Sequence, residues 1–154
     1  MAVPTMATLR SALITALGTV TGWAESRVHY DVFGFDSDGL LPRSFAVSIP
    51  LTVVTDRRRA VKVRGSQDGM MVTTTIRARW VHRLRADGQR ADYAALLADE
   101  VTVMQAAASM VLSDIGPVSP VRIQRRVVGD GTWHLTEVEW GCVHLYGIHD
   151  PDIP

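Results

Sequence analysis

The sequence predicts a single α+β domain, a mixed and mostly antiparallel sheet packed by two helices, and three observations predict it. Apolar residues alternate through Val72, Thr74, Ile76, Ala78, Trp80, His82 and Leu84, the period-2 pattern of a half-buried strand. After a charged turn the spacing changes to a helical one in Tyr93, Leu96, Leu97, Val101, Met104, Ala108 and Val111. Val121 to Val128 and Trp133 to Tyr146 then flank Gly129-Asp130-Gly131, which reads as a closing β-hairpin. At 154 residues the chain has the usual length of one domain and enough surface to bury a proper core.

The elements follow in order. Met6, Leu9, Leu13, Ala16 and Leu17 fall at helical spacing; Pro4 and Thr5 suit the start of that helix and Gly18 or Gly22 its end. Val28, Tyr30 and Val32 alternate within Arg27 to Phe35, a short strand before the turn-rich run Asp36-Ser37-Asp38-Gly39. Phe45, Val47 and Ile49 form a second strand, which ends or bulges at Pro50 because proline offers no N–H to a ladder. From Asp56 to Gly69 the chain is basic and flexible in composition, with Arg57, Arg58, Arg59, Lys62 and Arg64, and reads as an exposed loop or a projecting hairpin arm. Asp92 is placed to N-cap the second helix, and Gly116, Pro117 and Pro120 end it. Residues 1–150 form the one expected domain, and the tail 151–154, with two prolines, reads as loose.

Charge and cysteine content narrow the function classes. Sixteen basic and sixteen acidic residues cancel, so no overall field draws the chain to nucleic acid or an anionic membrane. Lys62 is the one lysine beside fifteen arginines, a bias spread through the whole chain. Cys142 is alone, so no intrachain disulfide is possible, and the sequence reads as built in a reducing cytoplasm. The apolar stretch from Met6 to Val20 contains Arg10 and is too short to span a bilayer, and it has no basic region before it to mark a signal peptide.

Chemical constellations are set against plainer readings. Of five histidines, no two stand at the i, i+4 helical or i, i+2 strand spacing that places both rings on one ion, and His134 and His144, on one strand face, lie about 33 Å apart. Glu137 and Glu139 share a strand face, but without a pocket they read as exposed carboxylates. There is no G-x-S-x-G elbow, phosphate loop or G-x-G-x-x-G motif. The expectation is a protein without enzymatic activity and without a cofactor. Trp80 shares its face with Val72 and Ile76, so it belongs to the core and not to a base-stacking surface. Arg77, Arg79, Arg83 and Arg85 occupy the opposite face, either simply solvated or a subunit contact.

The segments RVHYDVFGF and LPRSFAVSIP, the basic loop, VTTTIRARWVHRLRADGQRADYAALLADEV and DGTWHLTEVEW occur in an order that resembles the tail terminator (tail completion) proteins of tailed bacteriophages, over nearly the whole chain. The resemblance implies a structural protein of the virion tail or neck, assembled in the host cytoplasm. It would form a ring of six identical subunits that caps the tail tube, ends its growth and meets the head connector. Implied partners are further copies of the chain, the tail tube protein, a connector or neck protein and, in a contractile tail, the sheath protein, with no membrane and no specific nucleic acid. Another neck component, a head-closure or adaptor protein, is the alternative, and a single-stranded nucleic-acid-binding module a more remote one. No individual residues carry over from the family. On physical grounds Arg57, Arg58, Arg59, Arg64, Arg77, Arg79 and Arg83 are the expected ring or tube contacts, because guanidinium forks match the carboxylates of a neighbour.

Overall fold

The computed structural model describes residues 6–26, 43–63, 67–85, 87–110, 118–128, 131 and 133–147. The strand expected over 27–35, the end of the second helix at 116–117 and the C-terminal tail lie outside them. The elements are α1 (Met6–Gly18), β1 (Ala24–Glu25), β2 (Ser44–Val63), β3 (Gln67–Arg83), α2 (Gln89–Ala108), β4 (Ser119–Val128) and β5 (Trp133–Gly147). Among the described residues they make one five-stranded sheet in the order β1-β2-β3-β5-β4, with two helices, the α+β architecture that the changes of period predict. Every pairing is antiparallel except that of β1 with β2.

Strand period decides which residues are buried. Ile76, Ala78 and Trp80 of β3, with their partners Trp140, Val138 and Thr136 of β5, face the helices. Against them pack Leu9, Leu13 and Leu17 of α1 and Val103 and Ala107 of α2, all essentially inaccessible. Trp80 is fully buried, as its phase requires, and meets Trp23 edge to face with ring centroids 5.6 Å apart. α1 stops at Gly18, and Gly22, with φ +85°, makes the turn into β1 that a side chain would strain.

β2 does not end at Pro50. It runs on along β3 with a register shift between Ser48 and Leu51, where the ladder dispenses with an N–H. The basic segment is therefore the β2–β3 hairpin arm and not a loop. A second irregularity lies within it: between the pairs Asp56↔Met71 and Val61↔Gly69, β2 spends four residues, 57–60, against one residue of β3. Arg57, Arg58 and Arg59 thus sit in a bulge, a backbone device that locally re-aims a strand.

Three expectations are corrected. The first concerns Asp92, which does not cap α2. The N-cap is Gly88, and Asp92, in the first turn, accepts the Arg85 backbone N–H at 2.9 Å and the Arg85 guanidinium at 2.9 and 3.2 Å. The second concerns the helix phase. The buried stripe of α2 is Leu96, Asp99, Glu100, Val103 and Ala107, while Tyr93, Leu97 and Val101 are exposed. The third concerns Glu137 and Glu139, which are buried at 8% and 7% exposure.

Candidate assembly surface

Glu137 and Glu139 are covered by the arginines directly across the sheet, since Arg77 is registered with Glu139 and Arg79 with Glu137. The Arg77 guanidinium donates to Glu139 Oε1 at 2.7 and 3.0 Å and lies 3.4 Å from Glu137 Oε1. Arg79 donates to Glu137 Oε2 at 2.5 Å, and Arg122 of β4 donates to Glu139 Oε1 at 2.8 Å. Burial pushes the Glu139 carboxyl up, but the hydrogen bonds from Arg122 and Arg77 outweigh it and hold the group below the ordinary carboxylate range. Two of the expected contact residues are thus used within the subunit.

The other expected contacts separate. Arg83, the last residue of β3, is exposed, Arg57, Arg58 and Arg59 lie in the arm's bulge, and Arg64 falls outside the described residues.

What the sequence did not disclose is an apolar surface along one side of the molecule. Tyr93, Leu97 and Val101 are spaced four apart on α2, forming one exposed row at 46, 37 and 55%. On β4 the residues facing the helix side are Ile123, Arg125 and Val127, paired with Val138, Thr136 and His134. Arg125 bridges to Glu100 of α2 through two hydrogen bonds of 2.6 and 2.8 Å, while Ile123 and Val127 on either side of it stay exposed. Apart from the half-buried Val128, all of β4 is exposed on both faces. Among the described residues this edge strand pairs with β5 alone, which leaves the backbone groups of its outer side without a partner strand there.

Beneath this surface lies a compact polar cluster. His82 and His134 are opposed across β3 and β5, and both are buried. The His82 Nε2 atom lies 2.9 Å from Asp99 Oδ2 without an aligned hydrogen bond, and His134 Nδ1 has no hydrogen-bond partner. Asp99 is engaged by Arg43, whose Nε and guanidinium amine reach its two oxygens at 2.9 and 3.2 Å. Arg43 has φ +61°, a left-handed conformation that costs a non-glycine residue about 1–2 kcal/mol, and the fork onto Asp99 helps to offset it. Tyr93 meets the His134 ring edge on at 6.2 Å.

The described residues include one buried hydroxyl–imidazole pair and one buried thiol. Thr74 Oγ1 lies 2.8 Å from His144 Nε2, a hydroxyl–imidazole pair 70 positions apart in sequence. Thr74 is wholly inaccessible and also bonds Thr52 Oγ1 at 3.1 Å, so the pair ties three strands together and offers no route to a substrate. Burial raises the pKa of the Cys142 thiol, which donates to Thr74 O at 3.5 Å. No group of three His, Cys, Asp or Glu side chains among the described residues is disposed to hold a metal ion. No helix among them is long and apolar enough to cross a membrane.

Comparison with known proteins adds little. No protein-family model matches the chain, and no curated protein does. Among the matching solved structures is a chain from the virion of a native gene transfer agent particle, 16% identical, covering 90% of this chain and 95% of that one, with a TM-score of 0.43. A likeness so distant carries no functional argument.

Proposed function

We propose that this chain is a structural virion subunit that forms a ring, six-membered, which caps a phage tail tube, ends its growth and joins it to the head connector. The carrying observation is the apolar surface of Tyr93, Leu97, Val101, Ile123 and Val127 beside a β4 edge exposed on both faces. Single exposed apolar residues are ordinary, but neighbouring ones gathered on one side are a mark of interaction surfaces. The order of elements that resembles tail terminators supplies the particular assembly, and the β2–β3 arm supplies a means of reaching a neighbour.

Magnitudes favour a closed assembly over a simple pair. Covering five side chains that are a third to a half or more exposed contributes on the order of 5 kcal/mol. Association costs roughly 4–15 kcal/mol in lost freedom, so one such contact is marginal. A head-to-tail ring gives every subunit two contacts where a pair gives one. In this reading Arg57, Arg58, Arg59, Arg64 and Arg83 meet carboxylates of neighbouring subunits or of the tube, whereas Arg77 and Arg79 brace the sheet that presents them. The same bracing weighs against nucleic acid, since both guanidinium groups are already engaged by Glu137 and Glu139.

Light scattering and negative-stain imaging of the purified protein, alone and mixed with tail tube protein, test the proposal. Six-fold rings, lost in Leu97→Lys/Val127→Lys, are the expected result. A protein that stays monomeric under both conditions overturns it, and docking to the portal side with no affinity for the tube shifts the assignment to another neck component.

A further inference from the structure

Among the described residues, the carboxylates around the opposed His82–His134 pair each already have an arginine. Asp99 of α2 is forked by Arg43, Glu100 of α2 by Arg125 of β4, and Asp92 at the start of α2 by Arg85. Tyr93 of α2 closes the cluster from above the His134 ring. The cluster is therefore matched in charge only while both imidazoles are neutral. A proton on each would set two imidazolium groups face to face across the sheet, with Arg43 and Arg125 nearby; Asp99 Oδ2, 2.9 Å from His82 Nε2, would have to serve that charge as well as Arg43, and among the described residues His134 has no carboxylate of its own.

We propose that the His82–His134 pair is an acid-sensitive latch for α2: neutral, the pair lets the helix lie on the sheet, and protonated, it drives the first half of α2 off. Tyr93 and Arg125 belong both to the latch and to the exposed surface, so opening it disorganises that surface. The inference does not depend on the ring, because it concerns one chain.

The titration runs in the required direction. Burial lowers the pKa of His82, and Arg43 and His134 lower it further, outweighing the opposite influence of Asp99 and Asp92. Burial and then Arg125 lower that of His134. A histidine lowered in the folded state contributes stability that is complete above its ordinary value, about 6.5, and lost as pH falls through the folded value. Acidification from neutral pH therefore opens the latch.

The test is amide hydrogen exchange on the whole chain at neutral pH and at about pH 5, corrected for intrinsic rates, beside an NMR titration of the histidine rings assigned by single His→Gln variants. In acid the amides of the first half of α2 should lose protection about tenfold for each unit by which a ring's pKa is lowered, while the β3 and β5 amides around Ile76 and Val138 keep theirs. The double variant His82→Gln/His134→Gln should abolish that selective loss. Rings that titrate at or above the ordinary histidine value overturn the proposal, as does loss of protection equally in helix and central strands, or its persistence in the double variant. Should that variant fail to fold at neutral pH, the ring titration and exchange pattern of the unaltered protein decide.

Discussion

Replacing Glu139 with Gln tests how far the sheet depends on its buried charges. Among the described residues the cluster holds three cations, Arg77, Arg79 and Arg122, against two anions, Glu137 and Glu139, a net charge of +1 that the substitution raises to +2. Glu139 Oε1 accepts from both Arg77 and Arg122, so two guanidinium groups lose their closest anion together. Breaking a fully buried pair typically costs 3–5 kcal/mol. Here the Arg122 side chain is 47% exposed and that of Arg77 18%, so water screens part of the imbalance and the expected loss is about 2 kcal/mol. For a chain of this length that lowers the melting temperature by roughly 4–8 °C. Urea unfolding at neutral pH of Glu139→Gln, Arg77→Met and the double variant isolates the pairwise coupling, expected at about 1–2 kcal/mol. A coupling under about 0.3 kcal/mol would refute the claim that the ladder is more than surface decoration. The pH dependence gives a second arm. Because Glu139 is held below its ordinary value, its contribution is complete above about pH 4.5 and lost as pH falls through the folded value, so the difference between wild type and Glu139→Gln should shrink in strong acid.

The helix phase can be checked on adjacent residues: Leu96→Ala should cost about 2–4 kcal/mol by urea unfolding, and Leu97→Ala under about 1, because Leu96 is inaccessible and Leu97 is 37% exposed. Equal losses would restore the phase that periodicity alone predicts. Gly131→Ala, at φ +92°, should destabilise by about 1 kcal/mol despite open space around its Cβ, since the backbone conformation and not a clash resists the side chain. The Cys142 thiol should react with an aromatic disulfide reagent in the native state no faster than the protein opens; rapid reaction at neutral pH would contradict its burial beneath the sheet.

The period of β3 was legible because one face is almost purely apolar and the other carries arginines, so Trp80 could be assigned to the core from alternation alone. The same logic failed on α2 for a physical reason. Two stripes compete there, and the buried one includes Asp99 and Glu100, which periodicity assigns to solvent. Their burial is tolerable because Arg43 and Arg125 meet them from 56 and 25 positions away, partners no window along the chain can see. Glu137 and Glu139 were misplaced for a related reason: a carboxylate on a strand reads as exposed until the register sets Arg77 and Arg79 opposite it. β1 has only two residues, too few to leave a pattern, and its parallel pairing with β2 rests on contacts 20 residues apart.

These failures bear on where an assembly contact should be sought. Sequence points to arginines, because an unpaired charge is conspicuous in one dimension, yet Arg77 and Arg79 are matched within the fold. An arginine that must abandon an internal carboxylate to meet an external one gains little from the exchange. A half-exposed leucine or valine gives up only water, and its burial scales with the area covered. In the proposed assembly the row of Tyr93, Leu97 and Val101 with Ile123 and Val127 would therefore be the stronger source of contact energy, and the arginine bulge of the arm would contribute direction and specificity. If so, Leu97→Lys/Val127→Lys should abolish association outright, whereas Arg57→Ala/Arg58→Ala/Arg59→Ala should slow it and change its dependence on salt. The reverse ranking, measured by light scattering over a range of ionic strength, would return the interface to the arginines.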